Sequence, residues 1–332
     1  MISPPALRAG TGSALPPLVL RNDVLERQLG LDPGWIEQRT GILERRVAAD
    51  GEGVSTLAIR AGAVALQAAA IEPRDVGLLV LATSTPDRLL PPTAPLVADA
   101  LGLRCTAFDL AAACSGFVHA LGVAHAQLAS GMTRAALIIG ANVLSRRVNP
   151  DDASTAPIFG DGAGALALQV VSGDEPGARV LAVVGASDGS QQDLIHIPAG
   201  GSRQPLSAAL LAERAHLMRM PAGETLFRVA VHAMADAARE AMRVAGVADV
   251  AAIDWLLAHQ ANARMVRRVA AQLGVPPARV LGNVDRVGNT SAASLPILLH
   301  ESVAAGRVVH GQRLLLTAAG SGLTSGAAVL QW

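Results

Sequence analysis

Aromatic side chains are nearly missing from this chain: of 332 residues, four are Phe, three are Trp and none is Tyr. A stacking platform for single-stranded nucleic acid needs a row of rings, so that class is excluded. The core must be built from Leu, Val, Ile and Ala. Cysteine is nearly absent too. Cys105 and Cys114 are the only two, too few for a disulfide framework or a multi-cysteine zinc site, and in keeping with a reducing compartment. Neither sign of charge is in excess, since Lys plus Arg equals Asp plus Glu at 27 each. No global attraction to nucleic acid or to an anionic membrane follows. No apolar run reaches the ~18 residues that span a bilayer. The first twenty residues hold Pro4, Pro5, Pro16 and Pro17 and one basic residue, Arg8, a poor signal peptide. The expectation is a cytoplasmic protein with no nucleic-acid or membrane partner.

What is present is apolar residue in quantity, 51% of the chain. At one domain per ~150 residues the length suits about two domains or one fused unit. Short apolar runs predict strands at Gly77–Ala82, Ala135–Ile139, Ala163–Val171, Val180–Val184, Asp254–Ala258 and Arg313–Thr317. Between them, helical stretches run over Leu57–Ala70, Ser115–Ala129, Leu226–Val244 and Asn262–Leu273; in the second, Phe117, Leu121, Ala124 and Leu128 recur at helical spacing. Strand and helix alternate, which predicts a layered α/β fold.

The same order of elements occurs twice. "DVGLLVLATS", a helix closing in "ALGL", a turn at Cys114, "AALIIGANVLS" and "GAGALALQV" make one series. "AIDWLLAHQ", a helix closing in "QLGV", a turn at Asn289, "RLLLTAAGSGL" and "SGAAVLQW" make the other. Duplication predicts two sheets about a pseudo-two-fold axis with matching strand ends at the centre. The halves divide as 1–172 and 173–332, and residues 185–224 match nothing in the first half and read as an insertion.

Four segments carry chemistry. In "FDLAAACSGFVHAL", Cys114 sits where a helix begins, and the positive end of a helix favours thiolate over thiol. A buried structural cysteine is the alternative, and the segment alone leaves both open. Cys105 reads as a plain core residue. Of eight histidines, His259 in "LLAHQANARM" differs in ending a strand, where α/β ligand sites gather. Asn289 in "RVGNTSAAS" reads as a helix cap or as a polar group at a special backbone position after Gly288. The Gly-rich turn in Ala318–Ala327 is either a tight turn or a row of N–H groups for an oxyanion. "FGDGAGA" (Phe159–Ala165) lacks the lysine of a phosphate-binding P-loop and no helix follows it, so that reading is rejected.

Taken in order, "GTGSALPP", "WIEQRTGILERR", "TSTPDRLLPPTA", "DLAAACSGF", "IFGDGAGA", "HQANARM" and "GNTSAAS" resemble the β-ketoacyl-acyl-carrier-protein synthase III family of the thiolase-like superfamily. Cys, then His, then Asn marks the initiating condensing enzymes; the elongating ones use Cys with two His, and thiolases need a second cysteine in the C-terminal turn, absent here. The resemblance implies a thiolase-like five-layered αβαβα fold, a homodimer and no metal or other cofactor. It implies decarboxylative condensation of an acyl-CoA starter with malonyl-acyl-carrier protein, releasing CoA and carbon dioxide, at the start of fatty-acid synthesis. Cys114 would carry the acyl group as a thioester, while His259 and Asn289 would hold the enolate left by decarboxylation. Backbone N–H groups of Cys114 and Ser321 would form the oxyanion hole. Trp35, Arg39 and Asn262 correspond to contacts for CoA, and Arg264 to the main contact for acidic carrier protein. Arg228, Arg267 and Arg268 would widen that patch or simply face solvent. Leu90, Phe159 and Ala319 would border the acyl pocket.

The chain departs from the family pattern at four places. Ala153 stands where an arginine commonly sandwiches the adenine, Ala319 and Ser321 replace a Phe and a Gly of the C-terminal turn, and Leu90 replaces a Phe that closes the partner's acyl tunnel. The departures point to a starter larger than acetyl. They also keep two other readings in view: a specialised relative with an unusual starter or an alcohol or amine acceptor and no decarboxylation, and a non-catalytic partner subunit.

Overall fold

The computed structural model describes residues 4–171 and 177–332. The division between 172 and 173 expected from the duplication lies outside the described residues. The chain begins with β1 (Leu7–Ala14), β2 (Leu18–Arg21), α1 (Asn22–Leu29), α2 (Trp35–Thr40) and β3 (Glu44–Val47). It continues through α3 (Val54–Ala68), β4 (Leu78–Ala82), α4 (Ala94–Ala100), β5 (Thr106–Leu110), α5 (Gly116–Ala129), β6 (Ala135–Asn142) and β7 (Gly162–Val170). After β8 (Arg179–Ser187) come α6 (Ala208–Ala212), α7 (Gly223–Val244), β9 (Trp255–Ala258) and α8 (Ala263–Leu273). The last elements are α9 (Val284–Val287), α10 (Ser294–Ala304), β10 (Arg313–Gly320) and β11 (Thr324–Gln331).

Two sheets repeat one strand order. The first runs β1-β7-β6-β4-β5 and the second β8-β11-β10-β9. In each, an outer strand pairs antiparallel with its neighbour (β1 with β7, β8 with β11), that neighbour pairs antiparallel with the next strand (β6, β10), and the remaining strands pair in parallel. Where the second sheet lacks a fifth strand, Val280 makes a single parallel bridge to Leu256.

Successive side chains of the inner strands enter different cores. Leu78 and Val80 join a central cluster with Phe117 and Leu121 of α5, Leu295 and Leu299 of α10, and Leu314 and Leu316 of β10. Leu79 and Leu81 turn the other way, against Leu57 and Ala61 of α3 and Val97 of α4. In the second sheet Leu315 and Val329 face Met234 of α7 and Val266 of α8. The five layers are thus α3 with α4, the first sheet, α5 with α10, the second sheet, and α7 with α8. Both faces of each inner strand are buried, so these strands read as unbroken apolar runs without polar alternation.

The predicted strands and helices all occur, with ends moved by a few residues. β1, β2, β3 and β5 were not predicted. β1 (LRAGTGSA) lacks the β-branched run that marks a strand, and the antiparallel β2–β3 pair, whose strands are separated in the chain by α1 and α2, is short and charged. The expected insertion begins later than residue 185, because β8 runs on to Ser187 and pairs with β11 as far as Thr324.

The central layer is packed to the backbone. A β-carbon at Gly140 of β6 would strike the carbonyl oxygen of Ala292, just before α10. We expect Gly140→Ala to lower stability by about 3 kcal/mol through overpacking, read as a lower midpoint in a urea melt. An unchanged midpoint would show that the two layers can separate.

Candidate active site

Between the two sheets' strand ends lies a cavity of about 1170 Å³. Cys114, His259 and Asn289 all line it, although they are far apart in the chain. Each is delivered by the duplicated topology. A short turn, Ala113–Ser115, leads from β5 into α5 and carries Cys114. Its counterpart in the second half, Ser291–Ala293, leads into α10 and follows Asn289. Both turns open on a non-glycine residue with positive φ, Ala113 at 47° and Ser291 at 54°. Such backbone is strained by about 1–3 kcal/mol and persists only where its surroundings enforce it. His259 comes from the end of β9, its N–H bonded to the carbonyl of Thr317 in β10.

Two serines complete the set, and sequence reasoning passed over both. The Ser291 hydroxyl lies beside Cys114 and acts to lower its thiol pKa, and the Ser291 backbone N–H donates to Asn289 Oδ1 at 2.8 Å. With Oδ1 occupied, the Asn289 amide keeps Nδ2 as its donor towards the cavity. Ser294 Oγ lies 2.7 Å from His259 Nδ1 and accepts the Gln260 N–H at 3.1 Å. Its own proton is available for Nδ1, in keeping with the neutral ring. The imidazole then carries its proton on Nε2. The only sequence signal for these serines was their place in "GNTSAAS".

The electrostatics correct one expectation. The helix end was expected to favour a thiolate at Cys114. Burial instead pushes the thiol above its ordinary value, against smaller opposing effects of the Ser291 hydroxyl and the residue's own N–H. Cys114 therefore rests as a thiol. His259 is 2% exposed, and burial lowers its pKa to about 4, so it is neutral near pH 7.

The Gly-rich turn packs directly on the nucleophile's backbone. A β-carbon at Gly320 would lie 2.5 Å from the Cys114 nitrogen, so only glycine leaves that N–H open to the cavity. Ala319 and Ser321 also line the cavity, and the Ser321 hydroxyl donates to the carbonyl of Ile195 at 2.6 Å. Phe159 lines the cavity as expected and bridges to Asn289.

The other predicted residues divide. Trp35, Arg39, Asn262 and Arg264 reach the cavity, and so does Ala153. The Arg39 guanidinium already covers the Trp35 ring, 4.2 Å from its centroid. The buried Glu26 carboxylate accepts the N–H groups of Gly34 and Ile36 and so caps the short helix α2 that presents both. Asn262 uses its Oδ1 to cap α8 through the Met265 N–H, which leaves its NH₂ free for a ligand. Arg264 and Phe227 also line an adjoining groove of about 400 Å³ with Arg267 and Arg268. Arg228 is exposed on α7 and lines neither space. Leu90 stands outside its own chain's cavity and is 82% exposed. Among the described residues no group of three His, Cys, Asp or Glu is placed to hold a metal, and no helix is long and apolar enough to cross a membrane.

The buried histidine links stability to pH. An unfolded chain protonates its imidazole near the ordinary value of about 6.5, while native His259 resists protonation down to about 4. Its contribution is complete above about 6.5 and is lost as pH falls towards 4. Burial depresses His119, His125 and His300 in the same direction. Urea melts should show stability falling from pH 7 to pH 5, and the His259 imidazole NMR signal should stay that of the neutral ring at pH 5.5. A titration centred at 6.5 would contradict the buried neutral ring.

Comparison with known proteins agrees with this geometry. The family described as 3-oxoacyl-[acyl-carrier-protein] synthase III matches residues 108–189, and its C-terminal part matches residues 245–332. A 3-oxopimeloyl-[acyl-carrier-protein] synthase of Rhodothermus marinus is 50% identical over 99% of this chain and 95% of its own length. A β-ketoacyl-[acyl-carrier-protein] synthase III of a Roseiflexus species is 44% identical over 98% of both chains. The crystal structure of a 3-oxoacyl-(acyl carrier protein) synthase III from Pseudomonas aeruginosa superposes with a TM-score of 0.89 at 40% identity, covering 98% of each chain. With its layered fold, this chain belongs to the β-ketoacyl-acyl-carrier-protein synthase III family, acyltransferases of the thiolase-like fold that condense an acyl-CoA starter with malonyl-acyl-carrier protein and use no cofactor.

Proposed function

We propose that Cys114, His259 and Asn289 carry the two half-reactions of that condensation. The observation behind this reading is the pair of hydrogen bonds that leave His259 Nε2 and Asn289 Nδ2 as donors beside one cysteine in one cavity. In the first half, the Cys114 sulfur attacks the acyl-CoA carbonyl. The C–S bond to CoA breaks, the thiol proton passes to the departing thiolate, and an acyl-Cys114 thioester remains. The N–H groups of Cys114 and Ser321 would stabilise the tetrahedral oxyanion, with Gly320 keeping the space between them clear.

In the second half, malonyl-carrier protein loses carbon dioxide, and the electron pair of the broken C–C bond moves onto the thioester oxygen. Two neutral donors suit that oxygen, because negative charge develops there only as the bond breaks. The enolate carbon then attacks the acyl-Cys114 carbonyl. Cys114 leaves as thiolate and regains a proton from solvent, and 3-oxoacyl-carrier protein is released. Trp35, Arg39 and Asn262 would hold the CoA handle, and Arg264 with Arg267 and Arg268 would face acidic carrier protein. A homodimer belongs to this reading: β5 is the outer strand of its sheet, and Leu89 and Leu90 nearby are 87% and 82% exposed. So does the cytoplasm, which suits two free cysteines.

A second observation bears on the starter. The 3-oxopimeloyl product named for the Rhodothermus marinus relative has a seven-carbon dicarboxylic chain. Malonyl supplies two of those carbons after decarboxylation, so a five-carbon dicarboxylic acyl group remains. We include that starter, glutaryl, among the larger groups that the small Ala319 leaves room for.

The test mixes the protein with acetyl-, hexanoyl- and glutaryl-CoA and malonyl-carrier protein, and weighs both proteins intact. A 3-oxoacyl carrier protein with loss of carbon dioxide is expected, with acetyl the poorest starter. An acylated enzyme beside untouched malonyl-carrier protein would point to a different acceptor, and preference for acetyl would overturn the wide site. His259→Ala and Asn289→Ala should keep acylation and lose at least about 100-fold in condensation, the size of effect of one lost oxyanion donor. Gly320→Ala should lose acylation itself, as measured by the Cys114 adduct, whereas normal acylation would remove the turn from the oxyanion site.

A further inference from the structure

One wall of the cavity is supplied by the segment that the sequence marks as an insertion. Ile195, His196 and Ile197 line the cavity on one arm of that segment, and Met218 and Met220 on the other. The arms are joined by reciprocal backbone hydrogen bonds between His196 and Arg219, at 3.1 and 2.8 Å. Ile195 and Met218 pack on a small apolar cluster of Leu144, Val148, Ala156 and Phe159, separate from the three layer cores. Backbone bonds also tie the segment to the body, from the Met218 N–H to the Arg147 carbonyl at 2.7 Å and reciprocally between Asp188 and Leu323 at 2.8 Å, so the place of the Ile195 arm between them is set by what fastens it locally.

The fastening nearest the nucleophile is a single side chain. Ser321 Oγ donates to the Ile195 carbonyl at 2.6 Å. The same turn is tied to the nucleophile's approach, because Thr324 Oγ1 lies 3.0 Å from the Ala112 carbonyl and 2.9 Å from Ser115 Oγ. Gly320, next to Ser321, packs on the Cys114 backbone nitrogen. A continuous set of short contacts thus runs from the cysteine's own turn through Thr324 and Ser321 to the cavity wall. Glycine at 321 would keep the turn and lose the last link.

We propose that Ser321 is a specificity-determining residue, whose hydroxyl clasps Ile195 and thereby sets the width of the cavity beside the acyl-bearing sulfur. It acts through the wall and so is a positioning residue, distinct from any part its backbone N–H plays. The clasp holds the Ile195 arm against the turn and disfavours chains that need the wall to retreat. This inference rests on the reading of Cys114 as the acyl carrier.

The test is a competition for the half-reaction. Enzyme meets equal concentrations of acetyl-CoA and hexanoyl-CoA without carrier protein, and the ratio of the two Cys114 adducts is read by intact mass at early times. Ser321→Ala and Ser321→Gly remove the hydroxyl, and the glycine adds no bulk that the turn must accept. Both should shift the ratio towards hexanoyl by roughly two- to ten-fold, the range set by one net hydrogen bond. Ser321→Thr, which keeps the hydroxyl, should retain the wild-type ratio. Unchanged ratios in the Ala and Gly variants would overturn the clasp while leaving the acyl-enzyme intact. Absence of any Cys114 adduct in the wild-type protein would instead overturn the acyl-carrier reading and this inference with it.

Discussion

The site depends on the contact between two strained turns, one from each half of the duplicated chain. Ala113 and Ser291 both adopt positive φ without being glycine, and the layer formed by α5 and α10 holds them together. Ser291 is the joint. Its N–H fixes the Asn289 amide and its hydroxyl lies beside Cys114. Neither half could make this arrangement alone, because nucleophile and donor belong to equivalent positions in different sheets. The close fit of Gly140 against Ala292 shows how little freedom the central layer leaves for the two turns to move apart.

Burial sets the protonation states that the chemistry uses. The same desolvation that raises the Cys114 thiol lowers the His259 imidazole. Cys114, His259 and Asn289 are thereby all neutral at rest, with donors in place before charge develops among them. Negative charge on an enolate or a tetrahedral oxyanion would develop beside these neutral side chains, and preorganised N–H groups act most strongly in such surroundings. The serines do the remaining work: Ser294 holds the imidazole by Nδ1 and Ser291 fixes the amide orientation.

Much of this was legible in the sequence for definite reasons. Inner strands are buried on both faces, so Leu78–Ala82 and Ala135–Asn142 stand out as apolar runs. α5 and α8 carry their periodicity openly. The repeated order of elements pointed to two sheets, strand ends and helix starts offered Cys114, His259 and Asn289 as candidates, and the resemblance of the ordered motifs joined them. The losses are equally physical. β1 is short of the branched side chains that mark strands, and β3 holds Arg45, fully buried yet bonded to the carbonyls of Leu20 and Pro157. A charged residue in that setting looks like surface in the sequence.

Composition and pattern by themselves determined the class of fold and the exclusion of disulfide, multi-cysteine zinc and stacking chemistry, and they offered Cys114, His259 and Asn289 as candidates that the family resemblance joined into one set. These follow from local periodicity and from residue type, which a chain displays along its length. Tertiary structure alone decided that the cysteine rests as a thiol, since desolvation depends on what surrounds the sulfur. It alone chose which serines orient the donors, and it turned the unmatched segment after Ser187 into a cavity wall held by Ser321. Those outcomes are contacts between residues remote in the chain, and no spacing along the sequence encodes which distant surfaces will meet.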